Sequence, residues 1–152
     1  MTEPRRRVTG ATRRAKEMMI GGVIAGHVVG LTILGLALAV DGPSAALTAA
    51  LGFAAVVIFY SIGQALEVVA SELEPFQGLS LVLVSYGVRV VGIAAGLWAL
   101  LSLPTVAPHV SKGWLLLSVA GTVLAWVFGV VFVASRQRVP VYDHEYEPPS
   151  SG

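Results

Sequence analysis

Residues 19–40 read MIGGVIAGHVVGLTILGLALAV, an uncharged apolar run broken only by His27 and Thr32. A helix crosses a bilayer with ~20 such residues at ~1.5 Å rise apiece, so this one stretch is long enough to span. Three more follow, at Ala45–Val69, Gly78–Leu103 and Trp114–Ala134. Glu67 in the second and Arg89 in the third are their only charged residues. The reading is an all-α membrane protein of four transmembrane helices in two antiparallel hairpins.

Composition agrees. Of 152 residues 55% are hydrophobic and 12% charged, against roughly 25% charged in a soluble domain. The chain divides into a basic N-terminal tail (1–18), a transmembrane domain (19–134) and a C-terminal tail (135–152), with no room for a separate soluble domain. The absence of cysteine excludes disulfides, thiolate metal sites and a cysteine nucleophile. The first run exceeds the ~7–15 residues of a signal-peptide core and lacks a small-x-small cleavage pattern, so it reads as a retained helix.

Orientation follows from the bases. Arg5, Arg6, Arg7, Arg13, Arg14 and Lys16 precede the first run, and Arg136 and Arg138 follow the last. By the positive-inside rule both termini are cytoplasmic. The second loop, around Ser71–Gln77, then shares that side although it holds Glu72 and Glu74 and no base; acids count little in the rule. Asp41-Gly42-Pro43-Ser44 reads as a turn, with Ser44 an expected N-cap for the second helix. Pro75, Pro104 and Pro108 mark the other breaks. Trp98 and Trp114 are expected near the outer interface.

Small residues form stripes: Gly22, Gly26 and Gly30 in the first run, Gly92 and Gly96 in the third, Gly121, Ala125 and Gly129 in the fourth. Such stripes let helices approach closely in lipid. They serve either internal packing or the docking of a partner helix.

The intramembrane polar residues are few. Arg89 is costly in lipid, by ~2.5 kcal/mol or more, and must face protein. It shares a face with Gly92 and Gly96, with Ser85 and Tyr86 a turn below. In the second run Tyr60, Gln64, Glu67 and Ser71 recur on one face, and a short loop brings the two stripes together. An Arg89–Glu67 pair, bridged by Gln64 or Tyr60, is the expected contact. Arginine reaches toward it along its stem. His27 lies at similar depth and is expected to join this layer. The layer reads as a network fixing helix register, an ion or proton pathway, or a contact with a partner subunit.

The sequence has no GxxxxGK[ST], HExxH, CxxC or GxSxG motif, and no clustered carboxylates for a divalent cation. No catalytic residue, metal site or cofactor is expected. The basic N-terminus reads as a topology signal drawn to anionic lipid rather than as a nucleic-acid site.

Gly121-Thr122-Val123-Leu124-Ala125-Trp126, then Arg136-Gln137-Arg138-Val139-Pro140-Val141-Tyr142-Asp143, resembles the end of actinobacterial ATP synthase protein I-type sequences. The four-run layout and Tyr86-Gly87-Val88-Arg89-Val90-Val91 in the third run are similar too. The resemblance implies a non-enzymatic, multi-pass protein of the bacterial cell membrane, an accessory to the F-type ATP synthase that helps assemble its ring of c subunits. Its implied partners are membrane lipid and c or other Fo subunits, with a second copy of the chain a further candidate. Two rival functions remain on the residues alone. One is a small Mg²⁺ or proton-linked transporter using Glu67, Arg89 and His27; the other is a structural or lipid-binding subunit of a membrane complex.

Overall fold

The computed structural model describes residues 10–137. The described chain is all-helical: α1 (Gly10–Ala70), α2 (Pro75–Leu101) and α3 (Lys112–Arg136), with a single 3-10 turn at Ala107–His109. All three long helices are long and apolar enough to cross a membrane, which is compatible with a multi-pass membrane protein.

At 61 residues, α1 would run roughly 90 Å if straight, three times the ~30 Å hydrocarbon core. It is not straight. Gly42 leaves helical geometry at φ 79°, ψ −166°, a backbone region that costs glycine little because it has no Cβ. Pro43 follows, where its fixed φ suits the start of a helix and its missing N–H leaves no bond unmade. Residues 10–41 and 43–70 thus form two arms, and the second folds back on the first. Gly30 lies against the Phe53 ring, and Ile33, Ala37, Ala45 and Ala49 form a buried cluster nearer the bend. The four-residue turn expected at Asp41–Ser44 contracts to one residue. Ser44, expected as a cap, instead donates its hydroxyl to the His109 carbonyl at 3.2 Å, tying the bend to the loop before α3.

The first arm also begins earlier than Met19. Helix continues back through the basic segment to Gly10, helped by an Arg13–Glu17 i,i+4 pair at 3.0 Å. Such pairs favour helix by a few tenths of a kcal/mol. Thr12 Oγ1 donates to Glu72 Oε1 at 3.1 Å, so this segment packs on the α1–α2 connection. Arg5–Arg7, Arg138 and the rest of the expected C-terminal tail, including the Pro140–Asp143 ending, lie outside the described residues.

The last helix fills the groove between the arms. Ser118 Oγ donates to the Ala49 carbonyl at 2.6 Å, Gly121 lies against Ile33, and Gly129 against Gly21 and Ala25. It runs antiparallel to the first arm and parallel to the second. Helix α2 stands apart from this three-rod core. It packs on the second arm of α1, with Pro75 at its first turn, and only Ser85 and Arg89 along its length are buried. Trp98 is exposed, while Trp114 donates its indole N–H to Asp41.

Candidate functional site: a polar ladder beneath an open cleft

Arg89 is 8% exposed on a helix otherwise turned outward. The site explains why. Its side chain lies across Gly63, where an added Cβ would come within 2.5 Å of Nε. Its Nη2 stands 2.8 Å from Glu67 Oε1, and its guanidinium carbon sits 5.1 Å from the Tyr60 ring centre and 5.4 Å from that of Tyr86. Arginine is a strong partner for aromatic faces as well as for carboxylates. The ion pair is close, but its angle is poor for a hydrogen bond, and Nε has no acceptor. The charge is compensated, while neither Nε nor Nη2 makes a hydrogen bond.

Glu67 is better served. Gln64 Nε2 donates to its Oε2 at 2.9 Å. Ser85 Oγ lies 3.0 Å from its Oε1 and 2.8 Å from the Val82 carbonyl, so one hydroxyl proton serves one of the two at a time. The ladder continues past Gln64, whose Oε1 accepts the Trp126 indole N–H at 3.0 Å. Trp126 is 1% exposed and lies edge-on to Tyr60 at 5.6 Å. The run Arg89–Glu67–Gln64–Trp126 therefore joins α2, the second arm of α1 and α3 in one connected layer. Satisfying polar groups mutually is the way such a layer is kept at membrane depth.

The structure brings Arg89, Glu67, Gln64 and Tyr60 together. It does not bring His27 to them. His27 Nδ1 is 2.8 Å from the Val23 carbonyl of its own helix, and its ring meets Phe53 edge-on at 5.3 Å. Similar depth alone does not place a side chain in the layer: the contacts of His27 are with its own helix and with Phe53 on the second arm. Ser71, the last member of the expected stripe, bonds the Val68 carbonyl at 2.7 Å and approaches Thr12 rather than α2.

The glycine stripes are occupied from within the chain. Gly22 and Gly26 receive the Trp126 indole, Gly30 receives Phe53, and Gly92 receives Phe59. Gly121 and Gly129 meet the first arm, and the exposed Gly96 borders Phe59. Of the two readings of these stripes, internal packing is the one the contacts match. Sequence reasoning missed Gly63 and the placement of Trp126. The available signals were the four-residue step Phe59–Gly63–Glu67 and the size match between Trp126 and the Gly22–Gly26 stripe.

Above the ladder opens a cleft of about 420 Å³, lined among others by Arg14, Met18, Gln64, Glu67, Val82 and Gln137. A smaller cavity of about 250 Å³ adjoins it, sharing Arg14 and Gln137 and adding Gly10, Arg13 and Glu17. The Glu67 side chain is 23% exposed. Among the described residues no group of three or more His, Cys, Asp or Glu could hold a metal ion. Comparison with protein families, with characterised proteins and with solved structures finds no match to this chain.

Proposed function

We propose that the protein is a four-span membrane protein with both termini cytoplasmic, and that it serves as a non-enzymatic auxiliary factor of the F-type ATP synthase, handling c subunits as their ring is assembled. The break at Gly42 supports the span count, because each arm of α1 is then a span of its own. The bases at Arg13, Arg14, Lys16 and Arg136 support the orientation, since they gather at one end of the bundle. Reporter fusions at Gly152 and within Ala107–Lys112 are expected to report opposite sides of the membrane; a shared side would remove the four-span arrangement.

The observation that carries the functional reading is the one-sided burial of α2. Only Ser85 and Arg89 are buried, and the face away from the second arm is open, with Leu79, Leu83, Tyr86 and Val90 exposed and nothing within 4 Å of a Cβ added at Gly87. A glycine-bearing outer face admits close approach of a second helix. The family resemblance supplies the c subunit as that helix. Gly87→Trp is expected to insert and fold as the native protein does, yet to lose co-purification with c subunit in mild detergent. Retention of c subunit by this variant, or none bound to the native chain, would overturn the proposal.

The transporter reading has less support. His27 makes its contacts with the Val23 carbonyl and the Phe53 ring, and the ladder ends at Trp126 and Tyr60. Ion flux from the purified protein alone in proteoliposomes, abolished by Glu67→Gln, would restore it.

A further inference from the structure

The charges around the two adjoining cavities do not cancel. In the floor, Glu67 is offset by Arg89 at 2.8 Å. At the rim, Glu17 is offset by Arg13 at 3.0 Å. The Gln137 amide is spent on the Arg14 carbonyl at 3.1 Å and on Glu17 at 3.3 Å. Arg14 lines both cavities, its Nη1 lies beside Gly10, and among the described residues its guanidinium makes no ion pair, the two such pairs being Arg13–Glu17 and Arg89–Glu67. The two compartments also differ in character. The smaller is walled by Gly10, Arg13, Arg14, Glu17 and Gln137. The larger continues along Ala15, Met18, Ala70, Gly78 and Val82, an apolar wall contributed by both arms of α1 and by α2.

An unopposed guanidinium at the mouth of an apolar slot has the recognition chemistry of an anionic amphiphile. We propose that the two adjoining cavities together hold one anionic phospholipid, its phosphate ester on Arg14 and an acyl chain along Met18, Ala70 and Val82. Arginine suits a phosphate oxygen pair because its fork donates two parallel N–H groups. The combined space falls in the range of small-molecule sites, ~300–1,000 Å³. The position is also right. Arg14 precedes the apolar run that begins at Met19, so it stands at headgroup level, where anionic lipids gather around basic residues. The lipid would cover the open end of the Arg89–Glu67 ladder and bridge α2 to both arms of α1. This site rests on the membrane placement proposed above and is independent of any c subunit.

Native mass spectrometry of the full chain in detergent, titrated with dilauroyl phosphatidylglycerol and dilauroyl phosphatidylcholine, tests it. The native protein is expected to hold the anionic lipid about tenfold more tightly, the scale of one charge-assisted contact. Arg14→Gln should abolish that preference. Lys16→Gln, which removes an exposed base outside the cleft, should leave it intact. Val82→Trp, which fills the slot, should weaken both lipids. Equal binding of the two lipids by the native chain overturns the site, as does a preference that survives Arg14→Gln or is lost equally with Lys16→Gln. Displacement of the lipid by inorganic phosphate would make it a soluble-anion site and overturn the lipid assignment. If Arg14→Gln does not fold, Val82→Trp decides, since undiminished phosphatidylglycerol binding there rules out the slot. Reporter topology and c-subunit co-purification are separate readouts, so a failed lipid test leaves them standing.

Discussion

Glu67→Leu is expected to be the most destabilising single change in the polar layer. It leaves the Arg89 guanidinium buried on Gly63 with no anion, and arginine cannot shed its charge. Breaking a buried pair from one side costs about 3–5 kcal/mol. Arg89→Leu should cost less. The stranded Glu67 can take up a proton, and Gln64 and Ser85 remain beside it at 2.9 and 3.0 Å. Glu67→Gln, which keeps a hydrogen-bonding partner for Gln64, should fall between, at about 1–3 kcal/mol. The double variant Glu67→Leu/Arg89→Leu should recover most of the loss, because replacing both ions by apolar groups is close to neutral where the surroundings are apolar. Unfolding in detergent checks the order, with the native protein, the two leucine variants and their double forming a double-mutant cycle and Glu67→Gln read beside them. Equal and negligible effects from both single changes would mean that the pair holds nothing. If α2 is pinned through this pair, Glu67→Leu should also raise proteolysis in the 71–74 and 102–111 connections before the rest of the bundle opens.

The same layer shows what a linear reading recovers. Tyr60, Gln64 and Glu67 recur at helical spacing, and Arg89 shares a face with Gly92 and Gly96, so the facing of the two stripes was legible from periodicity and a short loop. Helix existence was legible for a similar reason, since twenty apolar residues have few alternatives. Three things were not. Trp126 meets Gln64 across 62 positions of chain, and nothing in the period of its own helix distinguishes that face from the lipid-facing one. The fit of an indole into the space left by two glycines carries the match, and it becomes visible only when both helices are placed. The N-terminal start at Gly10 was hidden because charge masks apolar periodicity; the Arg13–Glu17 spacing was its one local trace. The unequal packing of α2 was also hidden, since its composition is as apolar as that of α3. Whether an apolar side chain meets protein or lipid changes its hydropathy not at all.

Gly26→Leu is expected to unfold the bundle rather than to spare it. A Cβ at this position would stand 2.8 Å from Trp126 Cε3, closer than carbon atoms tolerate, and leucine adds three more carbons beyond it. Trp126 cannot withdraw. Its other side is held by the Gln64 bond at 3.0 Å and the Tyr60 ring, and Gly22 confines it one turn away. Overpacking in a fitted interior typically costs ~1–3 kcal/mol, and displacing the indole adds ~1 kcal/mol or more for the Gln64 acceptor it leaves bare. The variant should therefore be poorly recovered from membranes, with a lowered midpoint of detergent unfolding. Trp126→Ala in the same chain supplies the missing space and should restore part of that stability, though not the bond to Gln64. A docking face would behave otherwise: Gly26→Leu would then fold normally, lose a partner, and gain nothing from Trp126→Ala. The rescue separates these outcomes, because a clash inside the chain can be relieved by a second change inside it, whereas a clash with a partner cannot.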